Sequence, residues 1–156
     1  TNVFYHNVAG QFGLATRAFG LEDSSPSFSA VRFDYDRDGD IDMIRALSGP
    51  HIVVHRNDRA AGPALWVELR QTGNNTQAIG ARVTICTDGA HSVLPGPCQT
   101  RPIRAGGGFA SFDPVAAHFG LGTARQVSLI QVDWPDGARS TLAPQELLQG
   151  EIVVTR

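Results

Sequence analysis

Hydrophobic and polar positions alternate with a period of two through much of the chain. Apolar residues occupy every second position at 65–69, 81–85 and 130–134, a spacing that is typical of half-buried β-strands. Shorter apolar segments at 43–47 and 152–155 also predict strands. The 17 glycines and 9 prolines are spread along the chain, as expected for many short strands joined by turns. The pattern therefore predicts an all-β fold.

Three short segments predict turns or helical turns. Pro135-Asp136-Gly137 has turn chemistry and leads to a short strand at 140–142. Residues 144–148 predict a helical turn, because a proline stands at their start. Residues 15–21 permit either a short helix or a loop, and Gly20 favours the loop.

The composition changes near residues 57–63. Before this segment lie an acidic cluster and most of the aromatic residues, and after it lies a longer, glycine-rich β region. A chain of 156 residues suits one domain or two small ones. We therefore predict two units, at residues 1–57 and 65–156.

Net charge and hydropathy exclude two classes of function. The 13 basic residues, all of them arginine, face 15 acidic residues, for a net charge of −2, so the strongly basic surface of nucleic-acid binders is not expected. No apolar run is long enough to span a membrane. Position 1 is Thr and no signal-like segment follows, so we expect a processed product or a part of a longer chain.

The acidic cluster has the composition of a calcium-binding loop. Counting from Asp34, aspartates stand at positions one, three, five, seven and nine, and Gly39 at position six permits a sharp turn. Ca²⁺ prefers six to eight oxygen ligands, at about 2.3–2.6 Å. Without a cation, each pair of carboxylates would repel by about 4 kcal/mol at 4 Å and an effective dielectric constant of 20. The predicted ligands are the side chains of Asp34, Asp36, Asp38 and Asp42 and the main-chain carbonyl of Asp40.

This loop is not an EF-hand. Position twelve is Arg45 rather than the bidentate glutamate of that motif, and no amphipathic helices flank the loop. The residues that follow it predict a strand instead.

Two cysteines, Cys86 and Cys98, stand on either side of turn-forming residues. They form either a disulfide or two separate free thiols. We favour the disulfide, which would stabilise the fold by up to about 3 kcal/mol in the chain-entropy model and would indicate an oxidising, extracellular location. No second Cys/His pair has zinc-binding spacing, so metal ligation by the cysteines is not expected.

The first 57 residues resemble the FG-GAP/VCBS repeat of calcium-binding β-propellers. The resemblance rests on three motifs: Asn2-x-Phe4-Tyr5-x-Asn7-x-x-Gly10-x-Phe12, then Phe19-Gly20-Leu21, then Phe33-Asp34-Tyr35-Asp36-x-Asp38-Gly39-Asp40-x-Asp42, and residues 51–57 look like the start of another unit. It implies a nine-residue Ca²⁺ loop between adjacent strands, in a partial propeller-like unit, since a propeller needs several blades.

The second part resembles the ASPIC/UnbV domain over about residues 65–142. The motifs are Asn74-Asn75-Thr76-Gln77-Ala78-Ile79-Gly80-Ala81-Arg82-Val83, His118-Phe119-Gly120-Leu121-Gly122 and Val132-Asp133-Trp134-Pro135-Asp136-Gly137. That domain typically follows FG-GAP/VCBS repeats in secreted proteins related to cartilage acidic protein, and it has no well-established activity. We expect a small antiparallel β-sandwich or barrel-like domain here.

Motifs for catalysis are absent from the sequence. Gly106-Gly107-Gly108 lacks the lysine of a phosphate loop, and no nucleophile elbow occurs. Ser111, Asp113 and His118 lie close together along the chain, which is poor geometry for a catalytic triad. His118 is therefore predicted to be structural. The chain is therefore not expected to be an enzyme.

The predicted function is adhesion, scaffolding or filament-like self-assembly by an extracellular, calcium-stabilised β protein. A carbohydrate-binding module is the alternative, with Trp66 or Trp134 as a stacking platform rather than core, and Asn74 begins a formal glycosylation sequon. Expected partners are protein, either copies of this chain or upstream propeller blades, and glycans are the partners that the alternative implies. A partly covered apolar face is predicted from Phe4, Phe12, Phe19, Phe28 and Phe33.

Overall fold

The computed structural model describes residues 2–58, 62–88, 95–124, 126–142 and 150–156. Within these ranges the chain forms strands and one 3₁₀ helix and no α-helix, which confirms the predicted all-β class. No helix in this part of the chain is long and apolar enough to cross a membrane. The helical turn predicted at 144–148 lies outside the described residues. The strands are β1 (Tyr5–Val8), β2 (Gln11–Leu14), β3 (Ser27–Phe33), β4 (Asp42–Leu47), β5 (Ile52–His55), β6 (Ala64–Arg70), β7 (Arg82–Asp88), β8 (Pro95–Pro102), β9 (Ala117–Gly120), β10 (Val127–Asp133), β11 (Arg139–Leu142) and β12 (Gly150–Thr155).

Strands β6 to β12 form a two-sheet unit, here called the sandwich. One sheet has the order β11-β10-β7-β8 and the other the order β12-β6-β9, with β12 parallel to β6 and the other pairs antiparallel. The alternating apolar positions predicted from sequence supply one core shared by both sheets. Its fully buried members include Leu65, Val67, Leu69, Val83, Ile85, Phe119, Val127, Ile130 and Val132. The sheets do not close into a barrel within the described residues, so the sandwich form of the prediction holds.

The predicted disulfide is present and fastens two strands of the sandwich. Cys86 on β7 and Cys98 on β8 are direct cross-strand partners, with Cα atoms 4.1 Å apart. The alternative of two free thiols is therefore excluded. Closing a loop of this length lowers the conformational entropy of the unfolded chain, which stabilises the fold by roughly 3 kcal/mol in the chain-entropy model.

Strands β1 to β5 form two separate pieces, here called the N-terminal sheets. The first is the β1–β2 hairpin, whose turn residues Ala9 and Gly10 have φ of 51° and 88°, the left-handed values that a two-residue hairpin turn requires. The second is a three-stranded antiparallel sheet in the order β3-β4-β5. Between them, residues 15–21 contain a 3₁₀ helix at Arg17–Phe19 that ends at Gly20, where φ is 68°.

The five phenylalanines predicted to share one apolar face lie in separate contacts. Phe4 packs on Phe19 at 4.9 Å between ring centroids, and Phe33 packs on Tyr35. Phe28 meets Phe109 of the sandwich at 5.1 Å. Phe12 lies in the hairpin and is 69% exposed. The hairpin and the three-stranded sheet are separate sheets, and Phe12 and Phe28 are more than half exposed, so coverage of these rings by a partner stays a prediction.

A loop of the sandwich covers the outer edge of β3. This loop, residues 109–113, is here called the clasp. Its alternate side chains contact alternate residues of β3: Ser111 Oγ donates to the Ala30 carbonyl at 3.0 Å, and Asp113 Oδ1 accepts from the Arg32 amide at 3.1 Å. Asp113 Oδ2 also accepts from Arg32 Nε at 2.8 Å. The clasp thus satisfies backbone groups that an edge strand would otherwise present to water or to another chain.

Glycines next to the clasp are required by close approach. A Cβ on Gly107 would lie 2.8 Å from Asp113 Cγ, and one on Gly108 would lie 2.9 Å from Ser111 Oγ. These two glycines let the chain turn back against the side chains that hold β3. In the glycine run 106–108, which lacks the lysine of a phosphate loop, Gly107 and Gly108 therefore have a packing role.

A buried arginine organises the other side of the three-stranded sheet. Arg45 on β4 is 5% exposed, and it donates to Asp23 Oδ2 at 2.5 Å, to Ser27 Oγ at 2.7 Å and to His55 Nε2 at 2.9 Å. The amide of Ser25 and the Arg45 guanidinium lower the pKa of Asp23 to about 2. Burial, followed by the Arg45 charge, lowers the pKa of His55, which accepts from Arg45 as the neutral imidazole.

Removal of the clasp carboxylate should expose the β3 edge. In Asp113→Ala the Arg32 amide loses its acceptor, so its hydrogen exchange should accelerate, and the free energy of unfolding should fall by about 1 kcal/mol. Asp136→Ala is a matched control, because Asp136 also accepts from one amide and one arginine but lies far from β3 in the fold's topology. Unchanged protection of the Arg32 amide in Asp113→Ala would contradict the assignment.

Acid should destabilise the N-terminal sheets in two steps. The pKa of His55 is lowered in the folded state, so the unfolded state binds more protons and stability falls as pH drops below about 6.5. The pKa of Asp23 is also lowered, so a second loss follows as pH falls from 3.8 towards about 2. Melting temperatures measured from pH 7 to 5 should be flatter in His55→Gln, which keeps an acceptor for Arg45 and does not titrate. Equal slopes would rule this cluster out as the source.

Candidate metal centre

The acidic loop connects two adjacent strands of the three-stranded sheet. β3 ends at Phe33 and β4 begins at Asp42, so the loop is a tight β–β connection. Arg37 and Gly39 have φ of 63° and 99°, and these left-handed residues reverse the chain within the loop. The turn at Gly39 agrees with its predicted role at position six.

Three of the predicted ligands come together. One carboxylate oxygen from each of Asp34, Asp36 and Asp42 lies within 4.8 Å of the others. Asp34 Oδ2 accepts from the Gly39 amide at 3.0 Å, while Asp34 Oδ1 is buried with no hydrogen-bond partner among the described residues. A buried, unsatisfied anionic oxygen is costly unless a cation compensates it. A hard cation such as Ca²⁺ would compensate this oxygen, and Asp34, Asp36 and Asp42 would hold the ion.

Asp42 is the most deeply buried member of the loop. It is 1% exposed, and its two oxygens accept from the backbone amides of Tyr35 and Asn57, each at 2.7 Å. It thereby ties the beginning of the loop and the segment after β5 to the first residue of β4. The two backbone donors fix the orientation of the Asp42 carboxylate beside Asp34 and Asp36.

The other two predicted residues lie in the same loop but outside the three-carboxylate group. Asp38 Oδ1 accepts from the Asp40 amide at 2.9 Å, and the Asp40 residue is 7% exposed. The ligand predicted from Asp40 is its uncharged main-chain carbonyl oxygen rather than its carboxylate. The full ligand set of Asp34, Asp36, Asp38, Asp40 and Asp42 remains a prediction.

A neighbouring arginine was not singled out from the sequence. Arg56 Nε lies 2.6 Å from Asp58 Oδ1 and 3.9 Å from Asp36 Oδ2. The hydrogen bond from Arg56 to Asp58 is the main cause of its raised pKa, and the charges of Asp36 and Asp38 add to it. Arg56 therefore offsets part of the negative charge at the outer end of the loop. Arg56 lies near the loop because β5 pairs with β4, so its place in the sequence alone does not point to this role.

The loop is also joined to the sandwich. His118 Nε2 lies 2.9 Å from the Gly39 carbonyl, and because a carbonyl can only accept, Nε2 carries the proton. The His118 ring packs against Trp66, with centroids 4.7 Å apart. The histidine predicted to be structural thus links the acidic loop to β9 and β6.

The same contacts separate the members of the triad considered from sequence. Ser111 and Asp113 bind β3, and His118 binds Gly39. Each side chain is engaged with a different group of the N-terminal sheets. A catalytic triad needs the three side chains bonded to one another, so these three residues do not form one here.

A cavity of about 520 Å³ lies beside the loop. Asp34, Arg37 and Gly39 line one side, and Trp66 of β6 lines the other. Trp66 Nε1 is buried and has no hydrogen-bond partner among the described residues. Trp134 differs, because it is 3% exposed and donates to Ser140 Oγ at 2.8 Å, so it is a core residue as predicted.

The fold and the comparison with known families agree on the class of protein. The sandwich is an all-β, disulfide-fastened unit, and residues 71–151 match the family described as ASPIC and UnbV. This match covers just over half of the chain, so the chain belongs to the ASPIC and UnbV family. No curated protein matches the chain. The matched residues include His118 and the clasp but not the acidic loop.

Neutralising a loop carboxylate should remove the response to calcium. Ca²⁺ at a hundred times its dissociation constant should stabilise the fold by about 2.7 kcal/mol, and a chelator should lower the melting temperature accordingly. In Asp34→Asn and Asp36→Asn most of that difference should disappear. Glu22→Gln, an exposed neutralisation outside the loop, should respond like the parent chain. A melting curve of the parent chain that is unchanged by chelator would refute the calcium assignment.

Proposed function

We propose that this chain is a non-catalytic, calcium-stabilised β protein of the extracellular space that serves adhesion, scaffolding or self-assembly. The observation that carries the proposal is the buried, unpartnered oxygen of Asp34 within the group formed with Asp36 and Asp42. The same loop bonds the sandwich through Gly39 and His118. A cation that orders the loop would therefore also stabilise the contact between the two parts of the chain.

The N-terminal sheets are proposed to be an FG-GAP/VCBS-type repeat of a cartilage acidic protein-like chain. A nine-residue acidic loop between β3 and β4 supports this, as does the β1–β2 hairpin that precedes them. A hairpin and one three-stranded sheet amount to a fraction of a propeller. Upstream blades of a longer chain are therefore one proposed partner.

An extracellular location is proposed from the disulfide. Disulfides persist in oxidising compartments and are rare in the cytosol. Cys86 and Cys98 are bonded across adjacent strands. The disulfide-bonded form should be more stable than the reduced form. An oxidising, extracellular environment would preserve the bond.

Exposed apolar side chains on the N-terminal sheets support binding to protein. Tyr5, Val8, Phe12 and Leu14 of the hairpin are 58–69% exposed. β5 pairs only with β4 among the described strands, and its Ile52 is 66% exposed. An open strand edge with apolar side chains is a site for strand addition by another chain.

Light scattering of residues 1–156 over a range of concentrations tests self-association. Copies that pair through β5 should give a mass that rises with concentration, and Val54→Lys should return the chain to a monomer because lysine blunts an edge strand. Val153→Lys, on the edge strand β12, is the matched control and should have no effect. A parent chain that stays monomeric at all concentrations would leave upstream blades as the proposed partner and would refute self-assembly.

A carbohydrate-binding module is the second candidate, favoured by the cavity beside Trp66. A sugar could stack on the indole and supply the acceptor that Trp66 Nε1 lacks among the described residues. Trp66→Phe keeps an aromatic face and removes the donor, so glycan-array binding should weaken without unfolding. An array on which the parent chain binds no glycan would eliminate this candidate.

A further inference from the structure

A second cavity, of about 550 Å³, lies beside Asp113 of the clasp. Its walls come from the end of β8, from residues 104–107, from residues 113–114 and 116–118 and from Arg32 of β3. A volume of this size accommodates a small organic molecule. Apart from Arg32, the residues that line it fall within the matched range 71–151, and no residue of the acidic loop lines it.

Cationic groups dominate this cavity. Arg32, Arg101 and Arg104 line it, and Asp113 is the acidic residue among its described walls. Asp113 already pairs with Arg32 at 2.8 Å, so that pair is close to neutral. Two positive charges remain, on Arg101 and Arg104, in a chain whose net charge is −2.

Neutral hydrogen-bond partners hold the Arg101 side chain, so they do not offset its positive charge. Its Nη1 donates to the Thr100 carbonyl and its Nη2 to Gln99 Oε1, both at 3.1 Å, and both acceptors are neutral. The guanidinium carbon also lies 5.6 Å from the centroid of the Phe119 ring. A guanidinium fixed in this way keeps other N–H groups for a ligand and has little side-chain entropy left to lose.

Arg104 and the glycine-rich segment add further donors. Arg104 makes no hydrogen bond or ion pair with another described residue, and it is exposed. The amides of Ala105, Gly106 and Gly107 also donate to no described residue. Gly107 cannot carry a side chain, because its Cβ would meet Asp113. Backbone N–H groups and guanidinium groups that line one cavity are the kinds of donor that bind oxyanions.

We propose that this cavity binds a small ligand through an oxyanion group, either a sulfate or phosphate ester or a carboxylate. Arg101 and Arg104 supply the charge and paired N–H donors, and the 105–107 backbone supplies further donors. The Arg32–Asp113 pair, which is close to neutral, also lines the cavity. The proposal is independent of calcium, since none of these donors belongs to the acidic loop.

Titration with small probes followed by ¹H–¹⁵N NMR tests this site. The probes are inorganic sulfate, inorganic phosphate, glucose 6-sulfate, glucose 6-phosphate and glucuronate, with glucose as the uncharged comparison, all at constant ionic strength. At least one anionic probe should shift the amide signals of Gly106 and Gly107 saturably, and glucose should not. A sugar ester that binds more tightly than the inorganic ion identifies an organic ligand, whereas equal affinities identify the oxyanion itself.

Two variants and a control decide whether the arginines form the site. Arg104→Gln changes an exposed side chain with no described contact, so it should fold normally and weaken binding about tenfold. Arg101→Gln should do the same, while Arg17→Gln, the same charge change on the 3₁₀ helix, should leave the dissociation constant unchanged. Shifts that never saturate, or an Arg104→Gln chain that binds as tightly as the parent, would overturn the proposal.

Discussion

The buried carboxylate of Asp42 is the constraint on which the N-terminal part of the structure depends. A carboxylate that is 1% exposed must be compensated, and the two amides that do so belong to Tyr35 and Asn57, seven residues before it and fifteen after it. These bonds set where β3 ends, where β4 begins and where the chain leaves β5. They also bring Asp42 to Asp34 and Asp36, so the same buried charge shapes the candidate metal centre.

The two parts of the chain are joined by polar groups and by the exposed Phe28–Phe109 contact rather than by a shared buried core. Ser111, Asp113 and His118 each cross from the sandwich to a backbone or side-chain group of the N-terminal sheets. Bonds of this kind are specific in geometry but modest in energy, about 1 kcal/mol each. A junction built from them responds readily to changes nearby. Ordering of the acidic loop by a cation would therefore act directly on the junction through the Gly39 carbonyl.

The exclusive use of arginine has a structural reason at some positions. Arg45 donates from three different nitrogens to Asp23, Ser27 and His55, which a single ammonium group on lysine could not reach together. Arg101 likewise uses two nitrogens at once while its planar group lies over Phe119. In both cases the planar, forked guanidinium is required, and the charge alone is not enough.

Local pattern determined much of this protein, and the remainder depended on contacts distant in sequence. The alternation at 65–69, 81–85 and 130–134 predicted sandwich strands, because side-chain direction along a strand depends only on neighbouring residues. The spacing of the aspartates around Gly39 predicted the acidic loop, because the residues that form a tight turn are neighbours in sequence. The bonds of the clasp to β3 join residues 81 apart, and no local rule relates them. The arginine cavity arises where β8, the clasp and β3 meet, so only the tertiary structure could decide it.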